Sequence, residues 1–110
     1  MSPKPKKSDR QLASRCAAEI RKLYPDAEVI LYGSRARGDA EPESDLDLLV
    51  LTREKLEWPE EDKIIEALLP IELDTGVVIV PVIQPYDLWY SKKYQVMPIA
   101  KGVNCDGVTV

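Results

Sequence analysis

Apolar positions along the chain change their period several times, and each change marks an element. Leu12, Cys16, Ile20 and Leu23 recur at steps of four, four and three, with Ala13 and Ala17 beside them. That spacing predicts an amphipathic helix, capped at Ser8 or Asp9 and stopped at Tyr24-Pro25. Residues 28–32, EVILY, have the β-branched and aromatic content of a short strand. Gly33-Ser34 turns out of it, residues 35–38 are long enough for one helical turn, and DAEPES is a polar loop. Residues 46–51, LDLLVL, read as a buried strand entered through Asp45. After a polar connection at 53–57, residues 59–69 predict a helix with Ile64, Ile65, Leu68 and Leu69 inward, Pro59 in its first turn and Pro70 as its stop.

Residues 71–74 and 77–83 read as strand-like, with Gly76 between them and Pro81 marking the second run as an edge strand or a bulge. Short helices are expected over 86–90 and 94–101, and residues 102–110 form a closing turn and a last strand. The alternation of helices and strands with short connections predicts an α/β domain, a small mixed β-sheet flanked by helices. At 110 residues the chain holds one such domain. It is expected over 8–110, after a flexible N-terminus at 1–7.

Composition narrows the chemistry. Hydrophobic residues make up 45% and charged residues 31%, an ordinary globular balance. No uninterrupted apolar run is longer than that of residues 77–80, so no membrane span is expected. The basic start, MSPKPKKSD, is followed by no apolar stretch and is not read as a secretory signal. Cys16 and Cys105 suit reduced thiols in the cytoplasm better than a disulfide framework. Histidine is absent altogether. That excludes a histidine-activated nucleophile and a histidine-ligated zinc, and leaves carboxylates, Lys/Arg, hydroxyls and a hard cation such as Mg²⁺.

Charge is unevenly placed. Residues 1–23 carry a net of +5, residues 24–74 a net of −10 and residues 75–110 a net of +1. An acidic middle argues against nucleic acid as the main partner. The basic N-terminal stretch reads either as a contact arm or as a solvated helix face.

Within the acidic middle, GSRARGDAEPESDLDLLVL places Asp45 and Asp47 one residue apart at the mouth of a buried strand. Residues two apart on a strand share a face, with Cα atoms about 6–7 Å apart. Paired carboxylates repel, and a divalent cation relieves the repulsion; otherwise the pair is simply solvated at a strand start. Gly33-Ser34 lies where a strand meets a helix start, a place that suits phosphate as well as an ordinary serine cap. Arg35 and Arg37 either neutralise phosphate or pair with Asp39, Glu41 or Glu43. No Gly-Lys-Ser/Thr follows, so this is not a P-loop.

The segment LYGSRARGDAEPESDLDLLVL, residues 31–51, resembles the minimal nucleotidyltransferases of the DNA polymerase β superfamily. An apolar strand, Gly-Ser, a spacer of ten residues and Asp-x-Asp in a second apolar strand carry the likeness. MPIAKGV, residues 97–103, is similar to the family's closing helix. The resemblance implies the nucleotidyltransferase fold, with Gly33 and Ser34 on the triphosphate, Asp45 and Asp47 as catalytic Mg²⁺ ligands, and Arg35 and Arg37 as phosphate contacts. It implies transfer of a nucleoside monophosphate, AMP from ATP, to a hydroxyl of a protein or nucleic acid, nucleic acid entering only as acceptor. It also implies the antitoxin half of a toxin–antitoxin pair, beside a small helical HEPN-type protein. The family's third carboxylate sits on a later strand. Here the expected position near Val78 is apolar, and Glu72 and Asp74 just upstream are the candidates to replace it. The alternative reading is a catalytically weak or inactive nucleotide-binding module that binds and neutralises a partner protein.

Overall fold

A computed structural model describes residues 4–110. The first helix, α1 (Lys7–Leu23), leads to β1 (Glu28–Tyr32), a single turn α2 (Ser34–Arg37) and β2 (Leu46–Thr52). The long α3 (Trp58–Thr75) crosses over to β3 (Ile79–Pro85), and short helices α4 (Tyr86–Trp89), α5 (Lys92–Gln95) and α6 (Pro98–Asp106) return the chain to β4 (Val108–Thr109). Of the N-terminus expected to be flexible, residues 1–3 lie outside the described residues, and Lys7 already belongs to α1.

The four strands lie in the order β3-β2-β1-β4. β1 is antiparallel to both β2 and β4, while β2 and β3 are parallel. This parallel pair needs a crossover, and α3 supplies it. Alternation along the strands builds two cores. Val29, Leu31, Leu46, Leu48, Val50 and Ile79 face α1 and α3, which contribute Ala13, Cys16, Ile20, Ile64, Leu68 and Ile71. On the other face Ile30, Leu49 and Leu51 meet Trp89 of α4 and Ala100 and Val103 of α6. Side chains at alternate strand positions point to opposite faces, so Asp47 shares the second face with Leu49 and Leu51.

Pro70 does not stop α3. The helix runs on to Thr75, so residues 71–74 are helical rather than a strand, and it ends at Gly76 in the left-handed conformation (φ 72°). The burial pattern explains why. Ile64, Leu68 and Ile71 are spaced by four and three and are almost wholly buried. Stopping at Pro70 would leave Ile71 outside the core, forfeiting roughly 1.5–3 kcal/mol of apolar burial. Proline costs about 3 kcal/mol in a helix interior, so the two terms are of similar size and the hydrogen bonds of the last turn tip the balance. The same rotation turns Ile65 and Leu69, expected inward, out to half exposure (48% and 50%).

Pro81 sits on β3, an edge strand, as the sequence suggested. The C-terminal helices divide differently from expectation. Residues 94–101 split between α5 and α6, and Gly102 lies inside α6 rather than in a turn.

Replacing Pro70 by alanine restores a backbone donor and removes a ring clash without touching the core. Pro70→Ala is therefore expected to stabilise the domain by about 1–2 kcal/mol, less than the full proline cost because the unfolded chain also gains freedom. Urea unfolding measures this, and a variant no more stable than the parent would refute the account of α3.

Candidate active site

The antiparallel register of β1 and β2 pairs Tyr32 with Asp47. The last residue of β1 thus lies beside the second of β2, and the turn at Gly33 comes up against the Asp47 side chain. Gly33 has φ 80° and ψ −159°, a conformation open essentially only to glycine. A Cβ built there would stand 2.6 Å from Asp47 Oδ2. Glycine is required twice over, for its backbone and for the approach of the carboxylate.

Asp45 directly precedes β2 and is exposed; Asp47 is partly buried. Burial chiefly pushes the Asp47 carboxyl up from its ordinary value, the neighbouring Asp45 adds to the rise, and Arg37 opposes it. The Tyr32 phenol is raised too, first by burial and then by Asp47 and Tyr94. Asp47 is thus partly withdrawn from water beside a second carboxylate, with Arg37 as the cation acting on it. Asp45 and Asp47 are the residues that would hold a hard cation here, two carboxylates being a donor set suited to one.

The two arginines separate. Arg37 reaches Asp106 at 2.8 Å and Asp39 at 3.2 Å and stays partly exposed, close enough to act on Asp47. Arg35 turns inward and is buried. Its Nε donates to the Ser44 carbonyl at 2.9 Å, one terminal nitrogen donates to Asp9 at 2.7 Å, and the other donates to the Pro42 carbonyl at 3.1 Å. The structure thus places Arg35 beneath the loop, not at the mouth of the site. Ser34 opens α2 beside Gly33; the N–H groups of Ala36 and Arg37 donate to the Gly33 carbonyl at 3.0 and 3.1 Å, which leaves those of Ser34 and Arg35 outside the bonds of the turn.

The third strand carries no acid on this face. β3 pairs Val80 with Asp47, and the Val78 carbonyl accepts from the Leu46 N–H at 2.8 Å, so Val78 flanks Asp45. Glu72 and Asp74 lie on α3, which packs against the opposite face. Glu72 accepts from the Ile79 N–H at 3.1 Å, and Asp74 pairs with Arg15 at 2.7 Å. The structure does not bring either to Asp45 and Asp47, and no cluster of three or more acids, cysteines or histidines occurs among the described residues. Three contributors escaped the sequence reading. Tyr32 is visible once β1 and β2 are paired, the sequence marks Asp9 only as a candidate helix cap, and Asp106 carries no sequence signal. A cavity of about 240 Å³ lined in part by Tyr24, Thr52 and Leu56 opens at the opposite end of β1 and β2 and holds none of these groups.

A glycine turn closing one strand onto an acid pair at the head of the next defines a protein of the nucleotidyl-transfer class. Residues 13–95 match the model of the nucleotidyltransferase domain, and the chain belongs to that family. It is 44% identical over 55 residues to a Methanocaldococcus jannaschii protein named provisionally as a protein adenylyltransferase; this aligns 50% of the chain with 56% of the relative. It is 40% identical over 48 residues to Haemophilus influenzae MntA, also provisionally a protein adenylyltransferase, covering 44% and 42%. These alignments span about half the length of the curated relatives or less. Among solved structures, a toxin–antitoxin with AMP-PNP superposes with a TM-score of 0.62 at 17% identity, covering 88% of this chain and 70% of that one. A second, the MNT antitoxin complex with a tri-AMPylated Shewanella oneidensis HEPN toxin, gives a TM-score of 0.57 at 15% identity, covering 92% and 70%. At that identity the likeness establishes the nucleotidyltransferase fold. No helix among the described residues is long and apolar enough to cross a membrane.

Because the folded state raises the Asp47 carboxyl above its ordinary 3.8, it binds the proton more tightly than the unfolded state does. The stability so conferred is present below the ordinary value and is lost as pH rises through the raised one. Asp47→Asn removes that loss. Without divalent cations it is expected to be more stable than wild type at pH 7, with the difference shrinking towards pH 4. Urea titrations across that range test it; equal stabilities at pH 7 would contradict the electrostatic account.

Proposed function

We propose that this domain is a Mg²⁺-dependent nucleotidyltransferase that transfers AMP from ATP to a hydroxyl on a protein acceptor, and that it acts as the antitoxin of a toxin–antitoxin pair with a HEPN-type partner. The observation that carries the reading is the close approach of the Asp47 carboxylate to the Gly33 turn, which sets the start of α2 beside the acid pair. The names of the curated relatives and the complexes in which similar folds occur support the same direction.

In this reading Gly33 lets the triphosphate close on the backbone, and the Ser34 hydroxyl and the first amides of α2 donate to it. Asp45 and Asp47 hold the cation. When bound, that cation supplies charge neutralisation of the triphosphate and assists departure of pyrophosphate. Arg37, tethered by Asp39 and Asp106, lies at the edge of the acid pair and offsets charge there. Arg35, bonded to Asp9 and to the carbonyls of Pro42 and Ser44, acts through structure. A nucleic-acid hydroxyl is the lesser acceptor, since the acidic middle of the chain repels a phosphate backbone.

Incubation with Mg²⁺, α-labelled ATP and the neighbouring gene product tests the proposal. Label is expected on the acceptor, and Asp45→Asn/Asp47→Asn is expected to lower it by at least about 100-fold, as loss of the charged groups that organise a phosphoryl centre does. Saturable Mg-ATP binding without transfer to any acceptor would sink the enzyme reading.

A second reading has its own observation. Val80 stands beside Asp47 and Val78 beside Asp45, so the strand that could finish a carboxylate triad is apolar at both positions. On that reading the domain binds nucleotide and neutralises a partner without turnover. Val80→Asp separates the two. If an absent third acid limits the site, the variant is expected to bind Mn²⁺ about 10-fold more tightly, a usual scale for an added supporting group, and to gain transfer. If neither rises in a folded variant, the missing acid is not the limitation.

A further inference from the structure

Arg35 and Asp9 form a buried ion pair at 2.7 Å, with side chains each 8% exposed. Burying two charges is costly unless geometry and further hydrogen bonds compensate. Here the compensation has a direction. Two further Arg35 hydrogen bonds go to the carbonyls of Pro42 and Ser44, the residues that bring the chain to Asp45. Ser44 also caps its own loop, its hydroxyl accepting from the Glu41 N–H at 3.1 Å and its N–H donating to the Glu41 carbonyl at 3.0 Å. Asp9 comes from the first turn of α1, where a carboxylate is favoured by the helix end. The same N-terminal segment lies over α2, since a Cβ on Gly38 would collide with the Lys4 carbonyl. A loop of polar residues between two strands has no core of its own to hold it, so the guanidinium is its anchor.

We infer that Asp9 is a positioning residue for the acid pair: it orients Arg35, Arg35 fixes the carbonyls of Pro42 and Ser44, and the position of Asp45 follows. Asp9 lies upstream of the stretch matched by the family model, residues 13–95. The support of the site therefore begins outside the segment by which the family is recognised. The inference rests on the reading of Asp45 and Asp47 as cation ligands.

The test uses the full chain and Mn²⁺ as the probe, with hydrogen exchange of residues 39–46 as a readout that needs no metal. Asp9→Asn keeps the shape and one acceptor; Asp9→Leu/Arg35→Met removes both charges, so that neither is left buried and alone. Faster exchange over 39–46 is expected in both. Mn²⁺ affinity is expected to fall about 10-fold in the double variant, as loss of an outer support does, and by less in Asp9→Asn. A double variant that folds cooperatively with unchanged loop exchange, or with a loosened loop and unchanged Mn²⁺ affinity, overturns the inference. If the double variant does not fold, the same two readouts on Asp9→Asn decide between the outcomes. Wild-type protein that binds no Mn²⁺ overturns the cation-ligand reading itself, whatever the loop does.

Discussion

The carboxylate of Asp47 stands so close to the Cα of Gly33 that no side chain fits between them, and much of the domain is arranged to keep it there. The antiparallel register of β1 and β2 sets the height of the two residues. Leu46 and Leu48 fix Asp47 by pointing the other way into the α1–α3 core, where both are fully buried. Both faces of β2 are covered by apolar side chains, so a one-residue slip would be penalised chiefly by turning the Asp47 carboxylate into the α1–α3 core, and that penalty holds the site in register. Burial of those leucines, at roughly 1.5–3 kcal/mol each, outweighs the cost of keeping a partly desolvated carboxylate beside another acid.

The strands, the glycine turn and the acid pair were legible because each follows from local chemistry. β-branched and aromatic runs gave the strands, Gly33 the turn, and the two-residue spacing of Asp45 and Asp47 their common face. What stayed hidden depends on tertiary contacts. Pro70 is a strong local stop, and only the depth of Ile71 in the core carries the helix past it. Ile65 and Leu69 look as apolar as Ile64 and Leu68, and only the angle at which α3 meets the sheet tells them apart. Arg35 and Arg37 look alike in sequence. One faces inward to Asp9, 26 residues away, and the other outward to Asp106, 69 residues away, and no local rule assigns distant partners.

The same contrast explains Glu72 and Asp74. As strand residues they would have approached the acid pair, but as helix residues they lie across the sheet from it. Glu72 instead satisfies the Ile79 N–H at the start of β3, and Asp74 joins α3 to α1 through Arg15 at an exposed pair. Exposed pairs of this kind contribute little, about 0–1 kcal/mol. The acidic character of the chain's middle thus divides between a site that concentrates charge and a helix that merely carries it.

Pro81 has a consequence beyond marking an edge. Unpaired strand edges invite other chains to add to the sheet, and proteins blunt them with residues that cannot donate. β3 is the edge next to β2, seven residues long and apolar but for Gln84, and Pro81 removes one backbone donor near its middle while Pro85 removes another at its end. The opposite edge is the two-residue β4. Neither margin offers a continuous ladder for strand addition. Recognition of another protein by this domain is thereby steered away from shared backbone hydrogen bonding and towards side-chain contact, and aggregation through sheet extension is suppressed at the same two margins.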